Sequence, residues 1–307
     1  TNVTLPVFKA EIVIDFGGIA LWARMNDAAW LKLSNSSPDL LAVGDVDGNG
    51  EDDVIADFAS TLGGIFVKYN LGGWTQLSAS TSEQMTSGDL DNNGQDDVVI
   101  NFGVGVGLWA RMNDASWLKL NNGSPEQVVV GDMDNSGADD VIAEFGSGGI
   151  FVKRNLGEWV KLHNSNPEGM TIGNLDASAG DDLVVDFGEG LALQARMNDS
   201  SWLKLHNGSP DVMTTGDVDG NGADDVLAGF GSTVGGFWQK LNLGGWSQLN
   251  ANSPDDVVTA DVTGNDEDDI VANFGSTIGG LFIKRDQGGW VKRHNTAPDS
   301  MAPGELD

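Results

Sequence analysis

Six stretches of this chain concentrate side-chain oxygen at one fixed spacing, which is the chemistry of a hard-cation site. The first reads Asp45-Val46-Asp47-Gly48-Asn49-Gly50-Glu51-Asp52-Asp53, and its copies begin at Asp89, Asp132, Asn174, Asp217 and Asp261. Oxygen side chains fall at loop positions 1, 3, 5 and 9, position 7 offers a backbone carbonyl, and glycine at position 6 permits a sharp turn. Calcium takes six to eight oxygens, and a loop with alternate residues turned inward supplies them. Three aspartates crowded into such a loop repel one another unless a cation joins them.

The copies are unequal. Four are predicted to be complete: Asp45, Asp47, Asn49, Glu51 and Asp53; Asp89, Asp91, Asn93, Gln95 and Asp97; Asp132, Asp134, Ser136, Ala138 and Asp140; and Asp217, Asp219, Asn221, Ala223 and Asp225. Glu51, Gln95, Ala138 and Ala223 enter through their carbonyls. Two copies depart from the pattern. Asn174, Asp176, Ser178 and Asp182 form a loop with one charge fewer and Ala179 in place of glycine; Asp261, Thr263, Asn265 and Asp269 form one with Asp266 at position 6. A seventh copy stops at Glu305 and Asp307. The expectation is about four to six calcium ions, with magnesium disfavoured because it keeps more water. The loops hold nearly half of the 46 acidic residues, so cation ligation is expected to account for much of the net charge of −30.

A second constellation has the chemistry of sugar recognition. Leu21-Trp22-Ala23-Arg24-Met25-Asn26-Asp27 puts Trp22, Arg24 and Asn26 on one side of a strand by period two. Trp109, Arg111, Asn113 and Asp114 repeat the arrangement, and Gln194 replaces the tryptophan in a third copy. An aromatic plate beside Arg, Asn and Asp covers the apolar face of a sugar and bonds its hydroxyls; the competing reading is packing between neighbouring units. His163, His206 and His294 share one repeat slot, which fits loop residues better than a lone catalytic base. Tyr69 is the only tyrosine and aligns with Met25. No Ser–His–Asp order stands out, and the paired acids recur as loop ends, so no catalytic residue is assigned.

These residues sit on a repeat. Phe16, Phe58, Phe102, Phe145, Phe187, Phe230 and Phe274 recur every 42 to 44 residues, with Trp30, Trp74, Trp117, Trp159, Trp202, Trp246 and Trp290 in step. Each unit reads as four short strands joined by Gly- and Asp-rich turns, with no helical period. Four strands per unit of this length is the signature of a β-propeller. The expected fold is all-β: seven blades of four antiparallel strands, one domain over residues 1–307. Residues 298–307 are expected to add one strand to the three in 11–34, closing the ring and removing its free edges.

Composition narrows the function classes. Sixteen Lys and Arg against 46 Asp and Glu disfavour a nucleic-acid partner. No apolar run nears the roughly 18 residues of a membrane-spanning helix, so no membrane insertion is expected. No cysteine is present, which removes disulfides, thiolate metal sites and cysteine nucleophiles. The start at Thr1 fits a processed protein or an excised domain.

Asp-x-Asp-x-Asn-Gly-x-x-Asp followed by a β-branched strand and Phe-Gly resembles the calcium-binding propeller repeat of the FG-GAP/VCBS type, found in integrin α-subunit heads, bacterial surface proteins and propeller lectins. Phe-Gly recurs in six units, with Ala59 after Phe58 in the remaining one, and the Gly-Ala-Pro element of the integrin version is not evident. The resemblance implies a metal-stabilised binding platform outside the cytoplasm. The expected function is a calcium-stabilised, multivalent, lectin-like or adhesive module whose partner is a carbohydrate, a surface glycan or a protein. The alternatives are a polysaccharide lyase or hydrolase on the same scaffold, and a purely structural or protein-binding module.

Overall fold

The computed structural model describes residues 9–231, 234–275 and 277–307. Residues 1–8 of the expected domain, and Ser232, Thr233 and Ser276 of the turns after Phe-Gly, lie outside the described residues.

Alternating apolar residues between Gly- and Asp-rich turns build seven four-stranded antiparallel sheets set in a ring, a seven-bladed β-propeller. In blade 1 the strands are Leu40–Gly44, Asp53–Asp57, Ile65–Lys68 and Trp74–Ser78. Blades 2 to 6 begin at Gln84, Gln127, Gly169, Val212 and Asp256. Blade 7 takes its inner strand, Ser300–Gly304, from the end of the chain and its other three, Glu11–Asp15, Leu21–Met25 and Ala29–Ser34, from the start. Glu11 pairs with Gly304 and Asp15 with Ser300, so the ring closes as the sequence predicts.

The second strand of every blade is wholly buried, its apolar middle flanked mostly by acids or amides, as in Asp53-Val-Ile-Ala-Asp57. Alternate side chains point to the two neighbouring blades. The core is therefore a set of wedges between blades rather than one centre. Val13, Leu21 and Ala23 of blade 7 pack on Val54, Ala56 and Phe58 of blade 1, for example. The repeated tryptophans bridge the wedges: Trp74, Trp159 and Trp246 donate from Nε1 to the carbonyls of Leu33, Leu120 and Leu205 on the preceding blade, at 3.1, 2.9 and 3.0 Å. The acidic loops share one face of the disc with the turns between third and fourth strands. The Phe-Gly turns and the connections between blades share the other.

Candidate metal loops and an inter-blade cleft

An acidic loop of the full pattern is organised by its first residue. Asp45 Oδ1 accepts from the backbone N–H of Gly48 at 2.8 Å and Asn49 at 3.0 Å, and Oδ2 accepts from Gly50 at 2.8 Å. Asp89, Asp132 and Asp217 fold their loops the same way. The position-6 glycines Gly50, Gly94, Gly137 and Gly222 have φ between 83° and 91°, where a side chain is strained. The carboxylate at position 9 starts a buried strand and points back under the loop.

A group outside the expected ligand set completes the arrangement. In five blades the asparagine of the turn between third and fourth strands reaches its loop twice. Asn70 donates its backbone N–H to Asp53 Oδ1 at 2.9 Å and its amide to Asp47 Oδ2 at 2.8 Å. Asn113, Asn155, Asn198 and Asn242 do the same for positions 9 and 3 of their own blades. All five hold left-handed φ near 50°. Asparagine tolerates that conformation better than most residues.

Three loops bring three carboxylates together: Asp45, Asp47 and Asp53; Asp132, Asp134 and Asp140; and Asp217, Asp219 and Asp225, with an oxygen from each within 4.8 Å of the others. Asp89, Asp91 and Asp97 are not among these clusters. Burial pushes Asp53, Asp140 and Asp225 up to about 7, and the charges of the position-1 and position-3 aspartates add to it. Asp53 Oδ2 and Asp140 Oδ2 are buried with no hydrogen-bond partner. Repelling carboxylates fit a bound cation, and in two of the clusters a buried unpaired oxygen adds to the case: all three can hold metal ions.

The other loops differ in ways the sequence marks. At Asn174 the position-6 residue Ala179 does not take a left-handed φ, and the Asn174 amide bonds the Ser178 carbonyl instead of organising the loop. At Asp261 the fold of the loop survives, with Asp266 at φ 65° donating its N–H to Asp261 Oδ2 at 2.7 Å. The truncated seventh loop is completed across the ring closure. Glu11 stands at position 9, accepting from Asn26 N–H at 3.2 Å and Leu306 N–H at 2.8 Å, and the Asn26 amide reaches Asp307 at 3.3 Å. Burial raises the Glu11 carboxyl to about 7, and Asp307 adds to it.

The position-8 aspartates correct the reading that cation ligation absorbs the acidic excess. Asp52 and Asp53 are neighbours at the start of a strand, so only one of them turns into its own loop. Asp96 Oδ2 accepts from Asp45 N–H at 3.1 Å, and its own N–H donates to the Asp45 carbonyl at 2.8 Å, tying blade 2 to blade 1. Asp139, Asp181, Asp224 and Asp52 make the same two-way link to Asp89, Asp132, Asn174 and Glu305. The preceding strand ends in glycine to admit the carboxylate: a Cβ on Gly88 would stand 2.5 Å from Asp139 Oδ2, and one on Gly131 2.7 Å from Asp181 Oδ2. Between blades 6 and 7 the position-8 residue is Ala10, which donates to the Asp261 carbonyl at 2.9 Å, and the glycine is replaced by Ala260. Carboxylate and missing Cβ are exchanged together.

The sugar-binding candidates divide between the two faces, because their strand runs from one face to the other. Arg24 is held by Asp27 Oδ1 at 3.2 Å, the Asp27 carbonyl at 2.6 Å and the Ala28 carbonyl at 3.0 Å, and stacks over Trp30 at 5.1 Å. Arg111 bonds the Asp114 and Ala115 carbonyls and stacks over Trp117. Asp27 also takes Arg285 and Arg293 of blade 6; burial raises its pKa, and the three arginines outweigh that and hold it below the usual range. Asp114 accepts from Tyr69 of blade 1 at 2.7 Å. Asn26 and Asn113 belong to the acidic loops. These six residues are occupied within the metal-loop face.

Trp22 and Trp109 lie toward the opposite face. Trp109 donates from Nε1 to the Val106 carbonyl at 3.1 Å, and Gln194 preserves that bond to Leu191. With Trp117, Phe102, Val106, Leu77 and Ser78, Trp109 lines a cleft of about 460 Å³ between blades 1 and 2. Trp117 is 38% exposed there. At three other junctions a histidine replaces Ser78. His294 stacks on Phe16 at 4.3 Å, His163 on Phe187 at 4.4 Å and His206 on Phe230 at 4.4 Å. Each accepts at Nδ1 from the residue two ahead, at 3.1, 3.1 and 2.9 Å for His294, His163 and His206, as Ser78 Oγ does from Ser80 at 3.0 Å. The slot closes a turn, and its side chain sets how far the cleft is filled.

No protein-family profile matches this sequence, and no curated protein is similar to it. Solved structures are similar in fold. A lectin of Agrocybe aegerita, described as recognising non-reducing terminal N-acetylglucosamine, superimposes with a TM-score of 0.71 at 14% identity, over 99% of this chain and 97% of that one. BBS1N in complex with ARL6DN gives 0.63 at 13% identity over 94% and 89%. A streptogramin B lyase gives 0.56 at 14% identity over 88% and 92%. At these identities the likeness carries the fold.

Proposed function

We propose that this chain is a calcium-stabilised, carbohydrate-binding propeller module that works outside the cell, built from repeats of the FG-GAP/VCBS type. The observation that carries the reading is the cleft between blades 1 and 2. Two indoles, Trp109 and Trp117, and the Phe102 ring meet two serines in a space of about 460 Å³. Aromatic faces cover the apolar side of a pyranose and hydroxyls bond its edge, the mixture expected of a small-ligand site. The Trp22 slot is aromatic in six blades, as Trp22, Phe66, Trp109, Phe151, Trp238 and Phe282. Where the turn slot holds serine or asparagine rather than histidine, the repeated aromatic position favours several weak sites acting together on one rigid ring. The fold neighbour from Agrocybe aegerita supports a terminal N-acetylglucosamine as the first sugar to try.

Calcium in this reading is structural. It joins Asp45, Asp47 and Asp53, and their counterparts in the loops at Asp132 and Asp217, on the face away from the cleft, with Asp89, Asp91 and Asp97 as the next candidate set. No helix among the described residues is long and apolar enough to cross a membrane. A glycan array probed with labelled protein in calcium tests the proposal. Selective retention, released by free sugar and weakened by Trp109→Ala, is the expected result. A folded protein that retains no glycan removes the carbohydrate assignment.

A further inference from the structure

The last residue of each buried second strand meets the connection that leaves its own blade, and in six blades the pair is chemically matched. Asp15 accepts from Ser37 Oγ at 2.5 Å, Asp57 from Ser82 Oγ at 2.7 Å and Asp186 from Ser209 Oγ at 2.6 Å. Asn101 and Asn273 donate to the Pro125 and Pro298 carbonyls, each at 2.9 Å. Gly229 carries no group to satisfy. Blade 3 breaks the match. Its strand ends in Glu144, and the serine place is taken by Asn166, whose side chain is exposed. Glu144 is 0% exposed; its carboxylate has no side-chain donor, and the Gly146 backbone N–H beside it does not close a hydrogen bond of normal geometry to either oxygen. A second carboxylate lies nearby: Glu126 sits over Gly146, two residues beyond Glu144, its Oε1 2.6 Å from where a Cβ would stand. Burial, and after it the charge of Glu126, raises the Glu144 pKa and outweighs the Gly146 N–H, which lowers it. A buried carboxylate without a donor is costly, and a second one beside it makes it more so.

We propose that Glu144 and Glu126 hold a divalent cation between them, at a site of a different kind from the acidic loops and on the opposite face of the ring. The two charges match a divalent ion. Carboxylate oxygens are the hard ligands such ions take. In the matched blades a serine hydroxyl or an amide occupies this place, so the ion replaces a hydrogen-bond donor.

The test is an equilibrium-dialysis count of calcium bound to the intact chain and to Glu144→Gln and Glu126→Gln. Glu126 is exposed, so its variant keeps the fold even if Glu144→Gln does not. Each variant is expected to bind one ion fewer than the parent, and Asp45→Ala, on the other face, to lose its ion independently of them. Counts equal to the parent in both glutamate variants overturn the proposal, and so does a Glu144→Gln protein that is more stable with the ion count unchanged. The loop assignment is read separately, from Asp45→Ala.

Discussion

The two faces of the ring obey different rules. On one, most blades repeat the same machinery: a position-1 acid that folds the loop, a position-9 acid beneath it, an asparagine clamping the loop, and a position-8 aspartate tied to the blade before. On the other, the corresponding places vary. One slot holds Ser78, Asn121, His163 or His294, and the cleft beside it is open or filled accordingly. Features needed at each of the seven junctions are repeated, because each wedge is a separate core and must be closed by its own contacts. Features that recognise something are free to differ.

The sharpest way to break this contrast is to remove calcium. An ion bound only by the folded ring stabilises it by RT ln(1 + [Ca]/Kd), about 2.7 kcal/mol per site at a hundredfold excess. Calorimetric melting in chelator should therefore fall well below melting in calcium, and Asp53→Ala or Asp140→Ala should each remove one site's share. Unchanged melting in chelator would leave the loops as plain turns. The calcium-free ring should show the opposite pH dependence from most acidic proteins. Asp53, Asp140 and Asp225 sit at about 7 when folded, against 3.8 unexposed to the fold. The folded state then holds more protons between those values, so stability is greatest toward pH 4 and is lost as pH rises through 7. Melting at pH 5 and pH 8 in chelator checks the sign, and calcium should rescue the higher pH.

On the variable face, Ser78→His should abolish sugar binding at the blade 1–blade 2 cleft and leave melting unchanged, since the same ring packs at three other junctions. Trp109→Ala should weaken binding roughly tenfold to a hundredfold, the loss of about 1.5–3 kcal/mol of buried aromatic contact. Titration by tryptophan fluorescence reads both. The smallest effects concern the ties between blades. Gly88→Ala forces a Cβ against Asp139 and should cost about 1–3 kcal/mol. Ala260→Gly, at the junction that lacks the carboxylate, should cost only about 0.5–1 kcal/mol. Equal costs in denaturant titrations would mean that the exchange of glycine for alanine there is incidental.

The ring was legible because its signals repeat: a phenylalanine and a tryptophan every 42 to 44 residues need no knowledge of tertiary contacts. The acidic loop was legible at positions 1, 3, 5 and 9 because its ligands lie within nine residues. Asp52 and its copies were misread because adjacent strand residues face opposite ways, and their partners lie on another blade. Asn70 and Asn113 were missed as one group because they sit in unlike motifs, Asn-Leu-Gly-Gly and Arg-Met-Asn-Asp. The signal was present: an Asn or Asp follows each position-9 acid by 15 to 17 residues. Trp109 and Arg111 were joined by strand period, which gives the side of a sheet but not the end of it that each residue reaches. Glu11 stands 294 residues before Glu305 in the chain, and only closure of the ring brings it to the seventh loop.

The division of labour between the faces is tested most directly by a crystal structure of the protein grown with calcium and a glycan selected on the array. The account predicts ions at Asp45–Asp53, Asp132–Asp140 and Asp217–Asp225, and a sugar ring against Trp109 and Trp117 on the opposite face. Empty loops, or a sugar bound among the loops with the Trp109 cleft vacant, would contradict it.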